Sequence, residues 1–183
     1  MRRTRWLAAF ALTGAISAAS FGIATVGQAG ADGSRQNDFH QTNLVSDRSD
    51  QGAQVVDPTL QNPWGLALGP TSPLWVADNN GNAATVYRIN VGGTQVSGPL
   101  LTVPMPGGRA STGDGASPTG QVFNPTPDFV IGSGRAAGPA LFLFSAEAGQ
   151  LTGWNRKAGA HVVFRSRTAV YKGLTMGQAD DRT

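Results

Sequence analysis

The sequence predicts an all-β fold. Three observations carry this. The apolar runs are short and rich in Val, Phe, Trp and Tyr. Gly, Pro and Asn separate them, so no helical periodicity is sustained. Part of the pattern also returns after about fifty residues, the spacing of β-propeller blades.

In chain order, the N-terminus comes first and stands apart from the fold. Arg2, Arg3 and Arg5 precede an uncharged stretch of apolar and small residues over 6–26, and Ala29-Gly30-Ala31 follows. This order predicts a secretory signal peptide over 1–31, cut after Ala31, and a secreted or extracytoplasmic protein. The alternative is a membrane anchor, which Gly, Ser and Thr in the stretch disfavour. Sec and twin-arginine export both stay open. Residues 32–52 are polar and aperiodic and read as a flexible lead-in, leaving 53–183 for the folded domain.

Charge and composition narrow the function. The chain carries 14 Lys+Arg against 11 Asp+Glu. Three of the arginines lie in the signal segment, so the mature chain is balanced, with no basic cluster for nucleic acid. Cysteine is absent, which removes disulfides, thiolate catalysis and Cys-based metal sites.

The strands are predicted at 65–68, 74–77, 85–89, 100–103, 120–123, 129–131, 140–144, 150–154, 162–165 and 173–176. "NPWGLAL" at 62–68, "SPTGQVF" at 117–123 and "VYKGLTM" at 170–176 align on Gly65, Gly120 and Gly173, 55 and then 53 residues apart. "LWVADNNGN" from Leu74 aligns with "LFLFSAEAG" from Leu141. That alignment equates Trp75 with Phe142 and Asp78 with Ser145, and Tyr87 matches Trp154 on the next strand. An early insertion in the second unit and the Gly/Pro-rich loop 104–117 absorb the offsets. The domain is therefore read as unit one over about 62–103, that loop, unit two over about 118–168 and the first strand of a third unit at 170–176. A glycine at each inner strand suits blades converging on a narrow axis. Since propellers have typically four to eight blades, the count predicts an incomplete propeller, from a truncated gene or a fragment. The alternative is a small two-sheet β domain.

Over 43–176 the segments "DPTLQNPWGLALGPTSPLWVADNNGNAATVY", "PTGQVFNP", "GPALFLFSAEAGQLTGWN" and "AVYKGLTM" resemble a family of uncharacterised exported bacterial proteins. These are β-propellers similar in pattern to NHL-repeat proteins. The resemblance implies a propeller fold and export, and no reaction.

Three residues are candidate ligand contacts: Trp64, Asp78 and Asn79. Trp64 adjoins the first inner strand, and aromatics line ligand pockets. Asp78, Asn80 and Asn82 have the start of a calcium-loop spacing, but Ala83 and Ile89 stand where that loop needs Gly and Glu. The cluster reads better as a hairpin turn around Asn80-Gly81, with Asp78 accepting turn N–H groups. No metal site and no cofactor are evident. The histidines are His40 in the lead-in and His161 at a strand edge, so no hydrolase triad is assembled.

The leading reading is a non-enzymatic binding or scaffold protein for a protein, glycan or small molecule, with open blade faces that allow self-association. The alternative is a propeller hydrolase or lactonase using a divalent cation, with Asp78, Asp128 and Glu147 as the available carboxylates.

Overall fold

The computed structural model describes residues 41–90, 92–107, 115–157 and 159–177. The predicted signal peptide and residues 108–114 of the Gly/Pro-rich loop lie outside the described residues. Among these no helix is long and apolar enough to cross a membrane.

The fold is all-β. Two short strands come first: β1 (Val45–Ser46) and β2 (Val55–Val56) pair in parallel around a 3-10 turn at Ser49–Gln51. Part of the expected lead-in is therefore structured. Asp57, just after β2, accepts a 2.5 Å hydrogen bond from the Tyr87 hydroxyl and one from the Thr59 N–H. Through them the segment is tied to the first large sheet.

That sheet is an antiparallel meander of β3 (Pro63–Ala67), β4 (Leu74–Asp78), β5 (Ala83–Ile89) and β6 (Val96–Pro104), in that order. The second runs β7 (Pro118–Phe123), then β10 (Phe142–Ala146), β11 (Gln150–Asn155) and β12 (Gly159–Arg165). Between β7 and β10 the predicted insertion folds as a small hairpin of β8 (Val130–Ile131) and β9 (Gly138–Pro139). The side chain of Asn124 holds it, donating to the carbonyls of Ala140 and Asp128.

Strand alternation gives each sheet two faces. The front face of the first sheet, with Trp75, Ala84, Val86 and Val103, packs on the back face of the second, with Phe142, Phe144 and Trp154. Trp75 stacks on Phe142 at a centroid distance of 4.2 Å and meets Trp154 at 4.7 Å. The back face of the first sheet carries Asp78, Thr85 and Tyr87. The front face of the second carries Leu143, packed with Ile131, Ala140 and Leu174.

The two sheets repeat in backbone detail. Asn62 and Ser117, each just before the proline that opens an inner strand, both take left-handed φ values of 52° and 51°. Pro63 pairs with Asp78 and Pro118 with Ala146, and a bulge follows in both sheets. The Asn79 N–H donates to the Asn62 carbonyl, as the Glu147 N–H does to that of Ser117. These pairings equate Asp78 with Ala146 and Asn79 with Glu147. The sequence alignment, which matched Asp78 with Ser145 and Trp75 with Phe142, is one residue out. Trp75 and Phe142 face each other across the interface rather than occupying the same place in two sheets. The match of Tyr87 with Trp154 agrees with the pairing.

Two of the aligned glycines, Gly65 and Gly120, lie where the backbone crowds. A Cβ on Gly65 would sit 2.5 Å from the Thr119 carbonyl oxygen, and one on Gly120 would sit 2.2 Å from the Leu174 nitrogen. The segment expected to begin a third unit, 170–176, contains no assigned strand. It lies against the second sheet instead. Thr119 Oγ1 donates to the Tyr171 carbonyl at 3.0 Å and Ser145 Oγ to that of Gly173 at 3.1 Å. With its carbonyls bonded by side chains rather than by a neighbouring backbone, it has no ladder. The described residues form separate sheets rather than a closed barrel or ring.

Candidate functional site

Two of the three expected contacts, Trp64 and Asn79, meet at one end of the sheet pair, where β3 and β7 begin and β4 and β10 end. Asn79 is buried in the turn after β4. Its side-chain amide donates to the Pro118 carbonyl at 3.3 Å and to Glu147 Oε2 at 3.1 Å, while its oxygen accepts from Asn62. Glu147 also forms an ion pair with Lys172, whose Nζ lies 5.1 Å from the centre of the Trp64 ring. Lys172, and after it Asn79, hold the Glu147 carboxyl below its ordinary range. The three polar residues satisfy one another, so this cluster works as a clamp between the sheets and the 170–176 segment. Trp64, 44% exposed, is its outer member.

Asp78 does not join that clamp. The cluster 79–82 is a turn, as expected, but its chemistry differs from the expectation. Asp78 is fully buried on the back face, and neither carboxylate oxygen has a hydrogen-bond partner. It therefore accepts no turn N–H. Burial pushes its carboxyl up to about 7, with the Thr85 hydroxyl opposing and the Asp57 carboxylate adding to the rise. The left-handed turn residue is Asn82, at φ 51°, rather than Gly81. Gly81 is needed for a different reason, since a Cβ there would lie 2.3 Å from the Thr59 carbonyl oxygen.

The carboxylates of the hydrolase reading are kept apart. Asp78 is inside the back face, Glu147 is in the clamp, and Asp128 sits in the insertion loop. Among the described residues no three His, Cys, Asp or Glu side chains are grouped as a metal would require. His161 lies on β12 opposite Gly153.

The opposite end of the sheet pair holds a feature the sequence reading missed. Here the sheets part around a cleft of about 340 Å³. Its floor is Trp75, Phe142 and Trp154, and Phe123, Leu100 and Leu101 form its walls. Residues 69–73, the loop between β3 and β4, border it, and exposed Arg156 follows β11 into the lining. Arg156 has no ion pair among the described residues. Trp75 and Trp154 were legible as core aromatics. That their edges also floor a cleft depends on the splay of two sheets, which strand patterns do not encode. Leu100 and Leu101 were a usable signal, as adjacent large apolar residues on an outer strand, 47% and 40% exposed.

Comparison with known proteins finds a similar chain in an uncharacterized protein of Acanthamoeba polyphaga mimivirus, 31% identical over 121 residues. The matched stretch covers 66% of this chain and 28% of the viral protein, so the chain spans under a third of that relative's length. No family model matches the chain. No solved structure matches it. The resemblance to exported bacterial NHL-like proteins is corrected by this result: the relative is viral, and nothing in the comparisons points to that family.

Proposed function

We propose that this chain is an exported binding protein whose two sheets are propeller-type blades, and that it holds a small molecule in the aromatic cleft between them. The cleft carries the reading. Its volume lies in the range of small-molecule sites, its lining is largely apolar, and one guanidinium supplies a polar anchor. The chemistry fits a ligand with a flat apolar body and one acidic group. The body would lie along Trp154, Phe142 and Leu101, and the acid would face Arg156. The blade reading is supported by the repeated left-handed residue, proline, bulge and crowded glycine in the two sheets. Export rests on the order of basic, apolar and Ala-x-Ala segments in residues 1–31.

The test uses 8-anilinonaphthalene-1-sulfonate, an aromatic sulfonate of this shape. Its fluorescence should rise saturably with one site per chain. Arg156→Glu should weaken binding about tenfold, the loss of one charge-assisted contact of roughly 1.4 kcal/mol. Leu101→Asp should abolish it with the fold unchanged by circular dichroism. Binding that both substitutions leave intact would place the probe elsewhere and end this reading.

A further inference from the structure

A buried acid without a donor calls for a reason. Both carboxylate oxygens of the fully buried Asp78 lack a hydrogen-bond partner, and so does Thr85 Oγ1 on the same face. The groups around this acid make the problem worse. From residues 45–61, Asp57 adds a second negative charge. From β5 come Thr85 and Tyr87. Burial raises the Tyr87 hydroxyl, which stays protonated and donates to Asp57. β3 meets Asp78 at Pro63, which cannot titrate. No lysine, arginine or histidine among the described residues offsets the carboxyl.

The cover over this acid is a strap, residues 45–61. A Cβ on Gly81 would lie 2.3 Å from the Thr59 carbonyl oxygen and 3.1 Å from Asp78 Cβ, so strap and acid meet at that turn. The Asn80 N–H donates to the Gln61 carbonyl at 3.1 Å. Further along, the Gln54 amide donates to the Thr94 carbonyl at 2.6 Å, and its oxygen accepts from the Val96 N–H at 3.2 Å. With the bond from Tyr87 to Asp57, these ties are all polar. No strap residue belongs to either buried apolar cluster. By contrast, β4 and β5 are internal strands, laddered on both sides. The strap is thus the neighbour of Asp78 that moves most readily.

We infer that the proton on Asp78 works as a latch: the strap lies closed on the back of the first sheet while Asp78 is neutral, and lifts when Asp78 ionises. A neutral acid is tolerated in that place. An ionised one needs donors that the closed structure lacks, next to a second carboxylate, and water supplies them once the strap is off. The direction follows from the carboxyl, which burial raises to about 7. Below that pH the closed form is favoured. As pH rises through it, the open form, with the acid solvated, gains. Opening bares Tyr87 and the back of β4 and β5, and leaves the contact between the two sheets in place. The latch is independent of the cleft, which lies at the front of the first sheet.

The experiment is amide hydrogen exchange on the full chain at pH 5 and pH 8, resolved to single residues and corrected for intrinsic rates. The Asn80 and Val96 amides report the strap, because their acceptors belong to it. The Asn124 amide, bonded to the Leu141 carbonyl, reports the second sheet. Both strap reporters should exchange about tenfold faster or more at pH 8, with Asn124 unchanged. Asp78→Asn and Asp78→Ser cannot ionise, so their strap reporters should keep the slow rate at pH 8. Both variants leave His161 of β12 in place, so a histidine effect would persist in them. Either variant that folds by circular dichroism decides this; if neither folds, the parent's contrast between strap and second sheet decides alone. Strap reporters with equal rates at the two pH values overturn the inference. So does a rise shared with Asn124, which is general loosening, or a folded variant that opens as the parent does.

Discussion

The two four-stranded sheets share a backbone and differ in what they bury. At one pair of equivalent positions the first sheet has Tyr87, bonded to Asp57, and the second has Trp154, packed among Trp75 and Phe142. At another, Asp78 is opposed to Ala146, one an unpartnered buried acid and the other a core methyl. Yet the left-handed residue, the proline, the bulge and the turn hydrogen bond recur in both. The difference teaches where the repeat resides. It is held by positions that constrain the backbone, while the side chains between the sheets are set by what each face meets.

The sharpest way to separate the two sheets is to remove the aromatic that distinguishes them. Trp154→Ala deletes a ring buried between the sheets and should cost about 3–5 kcal/mol. Tyr87→Phe keeps the ring and removes only the hydroxyl that donates to Asp57. It should cost about 1–3 kcal/mol, from an acceptor left unpaired in a buried place. Urea denaturation followed by circular dichroism checks both. Equal costs would mean that the back face of the first sheet depends on its polar contact as much as the interface depends on its rings.

Asp78 offers a pH-dependent break. In the folded chain its carboxyl is raised to about 7, above its ordinary value of 3.8. The folded state therefore holds the proton more tightly than the unfolded state. The contribution of Asp78 to stability is therefore greatest below about pH 4, falls as pH rises toward 7, and levels off beyond. A rise of that size corresponds to a penalty of roughly 4 kcal/mol at the upper limit. Asp78→Asn should thus leave stability nearly unchanged at pH 4 and increase it at pH 8, the reverse of losing a turn cap. No comparable trend is expected from Ala146→Ser in the second sheet. Unfolding curves at pH 4, 6 and 8 decide it, and a destabilised Asn variant at pH 8 would show that Asp78 is held by contacts beyond those seen.

Much of this fold was legible in the sequence for a physical reason. Gly65 and Gly120 mark close approach, and Pro63 and Pro118 mark strand starts, so backbone demands appear as residue types. What was not legible depends on register. A shift of one residue turns every side chain to the other face of a strand. The like-looking Leu74-Trp75 and Leu141-Phe142 were matched one residue out, so Asp78 was equated with Ser145 instead of Ala146. Trp64 and Asn79 were singled out together without a reason to expect contact. Their meeting with Glu147 and Lys172 joins residues up to 108 apart in the chain, and no local pattern carries it. The cleft was hidden for the same reason, since its walls come from both sheets.

The smallest expected effect tests whether the aligned glycines are equivalent in structure or only in sequence. Ala in place of Gly120 would bring a methyl to 2.2 Å from the Leu174 nitrogen and 2.5 Å from the Gly173 carbonyl carbon. Backbone cannot swing aside as a long side chain can, so the 170–176 segment has to lift from β7. Its bonds from Thr119 and Ser145 would be strained with it. Ala in place of Gly65 meets the Thr119 carbonyl oxygen at 2.5 Å, also backbone, and presses β3 off β7. Gly173→Ala meets nothing within 4 Å. Overpacking of this kind costs about 1–3 kcal/mol. The first two substitutions should show it and the third should fall within about 0.5 kcal/mol of the parent. Amide hydrogen exchange should locate the damage, with protection lost near Leu174 for Gly120→Ala and along β3 and β7 for Gly65→Ala. If Gly173→Ala is as costly as the other two, a further strand is packed against it in solution. The third glycine would then share the crowding that the first two already show.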